Sequence, residues 1–160
     1  MVVENLGNLT PAELLVAHSA LIHELKRRGV VRSENNPTGD YAEWLVSKQL
    51  GLTLAAKSEK GFDAVDAEGF RYQVKSRRHN ADNASSQLGV IRDLESQGFD
   101  YLIAVVFDAE WNVLRAAKIP YRLVNKLATF SKRQNGHIMH MRESILSEKE
   151  VEDITRAIQG

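Results

Sequence analysis

The sequence predicts an α/β (α+β) domain in which helices flank a mixed central β-sheet. Three observations carry this. Apolar residues recur at helical spacing over residues 10–29 and again over 38–50. Polar and apolar side chains alternate on both sides of Ala67-Glu68-Gly69, as in the two arms of a hairpin. Tyr101-Leu102-Ile103-Ala104-Val105-Val106-Phe107 is a continuous apolar run of strand length, the pattern of a strand buried on both faces.

Taken in order, Thr10 caps the first helix, Pro11 sits in its first turn and Glu13 completes a capping box. Leu14, Leu15, Ala17, His18, Leu21, Ile22 and Leu25 form its apolar stripe up to Gly29, and Lys26-Arg27-Arg28 complements the helix dipole. Asn35-Asn36-Pro37-Thr38-Gly39 breaks the chain and opens a second helix over 38–50, stopped by Gly51. A short extended piece at 52–56 leads into the hairpin. Residues 79–87 read as a mobile polar loop, and 88–97 as a short helix ended by Gly98. The strand at 100–108 turns through Ala109-Glu110 into a partner over 111–119, followed by a short helix at 120–128. A polar loop at 131–136, a short strand at 137–141 and an amphipathic helix at 146–158, capped by Ser147 with Glu150 three residues on, complete the chain.

Composition narrows the function classes. With 160 residues the chain makes one domain: an N-terminal helical extension at 1–34, a core at 38–107, and a partner strand with closing helices at 108–160. There is no cysteine, which excludes disulfides and thiolate metal sites. No apolar run reaches the length of a membrane span, and residues 1–9 do not read as a signal peptide, so a cytoplasmic location is expected. Lysine plus arginine (21) balances aspartate plus glutamate (21), which argues against a non-specific nucleic-acid coat protein. A local basic patch at Arg77-Arg78 remains compatible with that balance.

The hairpin over 61–75 concentrates the chemistry. A three-residue loop with Gly69 at positive φ puts Asp63 opposite Gln73, Val65 opposite Arg71 and Lys75 opposite Gly61. Phe62, Ala64, Tyr72 and Val74 then fall on the other face, toward a core. An acid, an amide and a lysine within side-chain reach of each other suit a cation or a phosphate, and Gly61 leaves room beside Lys75. A solvated polar face on an edge hairpin is the plain alternative. On the second helix Glu43 shares a stripe with Leu50 and lies next to Val46, at the edge of the inward arc. A carboxylate there needs a cation, a donor or a route to solvent. Asp40 reads as an early-turn acid that matches the helix dipole.

Glu43 on a helix, Asp63 on one strand and Gln73-Val74-Lys75 on the next resemble the PD-(D/E)XK nuclease superfamily, of restriction-endonuclease-like fold. The resemblance covers residues 38–107. It implies that Asp63 binds a divalent metal, Mg²⁺ or Mn²⁺, with Glu43 contributing directly or through water and the Val74 carbonyl joining the inner shell. It implies that Lys75 orients or helps deprotonate the attacking water. Such a site would act on DNA as an endonuclease, hydrolysing a phosphodiester in one step.

The chain departs from the commonest pattern at Gln73, which stands where a second acid is expected. A carboxamide offers one oxygen and no charge, so metal affinity should fall; a branch that resembles methylation-dependent restriction enzymes carries glutamine here. Arg77 and Arg78 are candidates to hold phosphates flanking the cut, with a solvated strand end as the alternative. Nothing resembles a separate target-recognition domain, so sequence choice would need a homodimer or a specificity partner. The rival expectation is a catalytically inactive module of the same fold that binds nucleic acid or a partner protein. His137 and His140, on a strand, point to opposite faces and read as core or surface histidines; Trp44 and Trp111 read as core.

Overall fold

The structure, a computed structural model, describes residues 5–160; the first four residues of the 1–9 stretch read above lie outside it. Helix α1 spans Pro11–Arg27 with the complete capping box of Thr10 and Glu13, and helix α2 spans Thr38–Leu50 and ends at Gly51. Asn36 supports the start of α2 by accepting a 3.0 Å hydrogen bond from the Thr38 N–H. Strands β1 (Thr53–Leu54), β2 (Ala64–Val65), β3 (Arg71–Arg78), β4 (Tyr101–Phe107) and β5 (Val113–Pro120) follow. Helix α3 (Tyr121–Leu127), hairpin β6 (Thr129–Ser131) and β7 (Gly136–Ile138), strand β8 (Glu152–Asp153) and helix α4 (Thr155–Gln159) close the chain.

The six-stranded sheet has the order β1-β2-β3-β4-β5-β8. Only β3 and β4 run parallel; every other neighbour is antiparallel, so the sheet is mixed as expected. Strand β4 lies inside it with residues Leu102 through Phe107 fully buried. Alternation divides them: Ile103, Val105 and Phe107 pack with α2 and α4, while Leu102, Ala104 and Val106 pack under the β3–β4 crossover, α3 and the segment around Met139. Burial of each large side chain contributes roughly 1.5–3 kcal/mol, so this strand anchors both layers. Among the described residues no helix is long and apolar enough to cross a membrane.

Three segments differ from the sequence-based expectation. Residues 88–97 are not a helix: the Leu88 and Ile91 N–H groups donate to the carbonyls of Met139 and His137 instead, leaving one 3₁₀ turn at Leu94–Ser96. Asp93 and Gln97 flank that turn at positive φ, which ends it on both sides. The expected helix at 146–158 is a 3₁₀ turn (Glu143–Ser147), then β8, then the short α4. Asp153 takes over as the cap by accepting from the Thr155 N–H at 2.9 Å. The stretch at 131–136, expected as a loop, is a tight hairpin whose ends are strands.

Candidate active site

The hairpin turn forms as its residues dictate. Asp66 Oδ1 accepts from the N–H groups of Glu68 and Phe70, and Gly69 takes φ +89°, open to glycine without strain. The resulting register pairs Val65 with Arg71 and Ala64 with Tyr72, as the three-residue loop requires. Continued by one residue, it sets Asp63 beside Gln73.

Strand β2 stops there, and β3 does not. The Asp63 N–H still donates to the Tyr72 carbonyl at 2.7 Å, but the next ladder position is filled by a side chain: the Val74 N–H donates to Asp63 Oδ2 at 2.7 Å. Carbonyls alternate along β3, that of Arg71 meeting Asp100 on the β4 side and that of Tyr72 meeting Asp63 on the other. The Val74 carbonyl therefore faces the gap left by β2. Phe62 lies beyond the end of the alternation; it packs in the layer of Leu88 and Phe99, not with Ala64, Tyr72 and Val74 as expected.

The functional side chains gather around this open edge from both sides. Tyr72 and Val74 face α2, which brings Glu43; Gln73, Lys75 and Arg77 project from the opposite side of β3. Glu43 and Asp63 line one cleft of about 270 Å³ with Arg32, Asp40 and Lys57. Gln73 and Lys75 line a neighbouring cleft of about 430 Å³ with Lys60, Gly61, Arg92 and Ser96. The segment carrying Lys60, Gly61 and Phe62 divides the two. Asp63 links them: its charge acts on Glu43 from one side and on Lys75 from the other.

Electrostatics agree with a confined site. Burial pushes the Asp63 carboxyl above its usual range, against the opposing pull of the Val74 N–H, Lys75 and Arg32. Burial and the Asp63 charge raise Glu43, with Arg32 opposing. Burial lowers Lys75, although Asp63 and Glu43 favour its charged form. Among the described residues no hydrogen bond holds the Lys75 ammonium, and its stem runs past Gly89, where a Cβ would lie 3.5 Å from Cδ.

Gln73 is 8% exposed, and its carboxamide is half satisfied. Nε2 donates to the Gly61 carbonyl at 3.4 Å, while Oε1 is buried without a partner. The expected space beside Gly61 is taken by backbone, since a Cβ there would meet Gly98 Cα at 3.1 Å. An orphaned buried acceptor costs roughly 1–3 kcal/mol unless a donor or a cation meets it.

These groups fit a hard divalent cation in donor type. Two carboxylates, a free carboxamide oxygen and a backbone carbonyl are the oxygen ligands that Mg²⁺ prefers, with water completing the shell. Among the described residues no three histidine, aspartate or glutamate side chains gather as a metal cluster, so Gln73 Oε1 and the Val74 carbonyl would have to supplement Asp63 and Glu43.

One participant was invisible in the sequence. Arg32 pairs with Glu43 and donates to the Ala55 carbonyl at 2.7 Å. Asp40, beyond its place in the first turn of α2, fixes that arginine by accepting from the N–H groups of Arg32 (2.8 Å) and Ser33 (2.9 Å). A partner for Glu43 was required by its position, but nothing local singles out residue 32.

The remaining expected residues sit further out. Arg77 shares the Lys75 side of β3. Arg78 lies on the opposite side, where its guanidinium stacks 4.5 Å from the Trp111 ring and donates to the Ala109 carbonyl. His137 meets Glu95 at 3.5 Å and His140 meets Ser86, so the two histidines do not share a site. No known family model matches this chain, and no curated protein is detectably similar to it.

Proposed function

We propose that this chain is a metal-dependent nuclease of the PD-(D/E)XK, restriction-endonuclease-like type that hydrolyses phosphodiester bonds in DNA. One observation supports this above the rest: Asp63, Glu43 and Lys75 lie close enough to act on one another's charge at a strand edge that the Val74 carbonyl faces and where the buried Gln73 Oε1 has no partner. A bound Mg²⁺ or Mn²⁺ would supply Lewis-acid polarisation of the scissile phosphate. The chain's own residues do the rest. Asp63, held by the Val74 N–H through one oxygen, would offer the other to the cation, with Glu43 and the Val74 carbonyl as donors beside it and Gln73 Oε1 as the donor from the other side of β3.

Lys75, its pKa lowered by burial, has a larger neutral fraction than a surface lysine and can take a proton from the attacking water. The water oxygen bonds to phosphorus as the bond to the leaving oxygen breaks, and the leaving oxygen is protonated by solvent. Arg92 and Lys60, at the rim of the Lys75 cleft, can face flanking phosphates.

A second reading has its own support. Arg32 occupies the Glu43 carboxylate and Gln73 carries no charge, as in a module of this fold that binds nucleic acid or a partner protein without cutting. Incubation of supercoiled plasmid and of single strands with Mg²⁺ or Mn²⁺ separates the readings. Cutting by the wild type that is lost in both Asp63→Ala and Lys75→Ala supports the nuclease. Binding without cutting supports the module. A chain that neither binds metal nor touches DNA overturns both.

A further inference from the structure

Helix α1 is the anomaly of this fold. Its capping box and its ion pairs from Glu24 to Arg27 and Arg28 make it a well-formed helix, yet Ile22 is its only buried residue. Leu14 is 38% exposed, Leu15 68% and Leu21 60%, and none of these belongs to either core cluster. Leu6 and Leu9, just ahead of the helix, are 41% and 37% exposed. Among the described residues helix α1 makes no extensive contact with any other element; it is tethered at its C-terminal end, where Leu25, Val30 and Val31 lie near Tyr41 and Trp111.

Leu14, His18, Leu21 and Leu25 are spaced four, three and four residues apart. That is the alternation of a helix-pairing seam, with Leu15 and Ile22 on one flank and Ala17 on the other. Leaving leucines of such a stripe in water forfeits roughly 1.5–3 kcal/mol for each one that could be buried. Isolated exposed leucines need no explanation, but a contiguous stripe on a stable helix marks an interface.

We infer that α1 is a dimerisation helix, whose occupant is the α1 of a second copy of this chain packed antiparallel to it. Charge selects both partner and direction. The helix carries Glu13 in its first turn and Lys26, Arg27 and Arg28 at its end, where three cations outnumber the single Glu24 that pairs with the two arginines. An antiparallel pair lays the basic end of each copy over the acidic end of the other and opposes the two macrodipoles. A parallel pair sets six cations together with only the two Glu24 carboxylates among them. The two-fold arrangement is self-complementary, so one sequence supplies both halves. The stripe fits this pairing in length too: Leu14 of one helix meets Leu25 of the other while His18 meets Leu21. One seam of 17 residues, about 25 Å long, lies at the small end of specific interfaces, so a weak, concentration-dependent association is expected.

The test needs no assumption about activity. Sedimentation velocity across a micromolar concentration series should show a species of twice the 18.0 kDa chain mass, growing with concentration. The double variant Leu14→Glu/Leu21→Glu should sediment as a monomer at every concentration while keeping the wild-type circular dichroism and the melting temperature the wild type shows at dilutions where it is monomeric. The absence of native cysteine makes direction readable by single-cysteine crosslinking. His18→Cys, near the middle of the seam, should form a disulfide-linked dimer under mild oxidation. Leu14→Cys should not, because the antiparallel register separates the two copies of residue 14. A wild type that stays monomeric, a dimer that survives the double glutamate variant, or efficient crosslinking through Leu14→Cys would each overturn the inference.

Discussion

Asp63 Oδ2 accepts the Val74 N–H at 2.7 Å, so a side chain stands where the backbone of β2 would have continued the ladder. The strand is cut short in order to point a carboxylate at its neighbour's edge. The consequence is energetic. Burial raises the Asp63 pKa, which means the folded protein prefers the protonated carboxyl more than the unfolded chain does.

That preference fixes the sign of a first prediction. A carboxyl with a raised folded pKa gives its full stability at low pH and loses it as pH climbs through the folded value. Asp63→Asn keeps an oxygen for the Val74 N–H and removes the ionisation. Without divalent metal, the variant should melt with the wild type in acid and above it at neutral pH, by roughly 1 kcal/mol or about 2–4 °C. Thermal melts of both proteins across pH measure this directly; an Asn variant less stable at neutral pH refutes the account of a penalised carboxylate.

Gln73 allows the reverse experiment. Its orphaned Oε1 is the position where an acid would add charge to the site. Gln73→Glu should lower the melting temperature in chelator, because it buries a third negative charge near Asp63. The same variant should respond more strongly to added Mg²⁺, since ligand binding to the folded state adds about 2.7 kcal/mol at a hundredfold excess over Kd. The two curves should therefore cross as Mg²⁺ is titrated. Parallel curves would show that residue 73 does not face the cation.

Lys75 predicts a pH profile. Burial lowers its pKa below the usual lysine value of 10.5, so the charged form is penalised in the fold. The stability associated with this group should rise with pH through the window from its folded pKa up to 10.5. Lys75→Met should exceed the wild type at neutral pH and lose that advantage toward pH 10.5. Cleavage that depends on neutral Lys75 should climb with pH up to the folded pKa of this group and level off above it, and that ascending limb should vanish in Lys75→Arg. A flat wild-type rate from neutral to alkaline pH would remove Lys75 from proton transfer.

Much of this arrangement is written locally. The capping box of α1, the end of α2 at Gly51 and the hairpin register set by Gly69 follow from neighbouring residues, and the structure reproduces all three. The double burial of β4 follows from its unbroken apolar run. What the sequence hides is non-local. Residues 88–91 look helical by composition, yet the Leu88 and Ile91 N–H groups go to Met139 and His137, about fifty positions away. Arg32 reaches Glu43 only because Asp40 holds its backbone, a link no periodicity reveals. Phe62 escapes its alternation because β2 is two residues long, and strand length is set by the edge, not by the pattern.

The partition between the two clefts supplies the last prediction. Gly61 and Gly98 touch backbone to backbone, and a Cβ on Gly98 would meet Gly61 Cα at 2.9 Å. Neither chain can yield as a flexible side chain would, so Gly98→Ala must push residues 60–62 outward. Overpacking of this kind costs about 1–3 kcal/mol. The displaced Gly61 carbonyl is also the acceptor for Gln73 Nε2, so the carboxamide loses its only anchor and turns freely between its two ends. Gly98→Ala should therefore melt lower in chelator and gain less from Mg²⁺ than the wild type. Gly89→Ala is the matched control, because its Cβ would rest 3.5 Å from the Lys75 stem in ordinary contact. Equal Mg²⁺ responses in Gly98→Ala and Gly89→Ala would mean that the glycine contact shapes the fold without setting the position of Gln73.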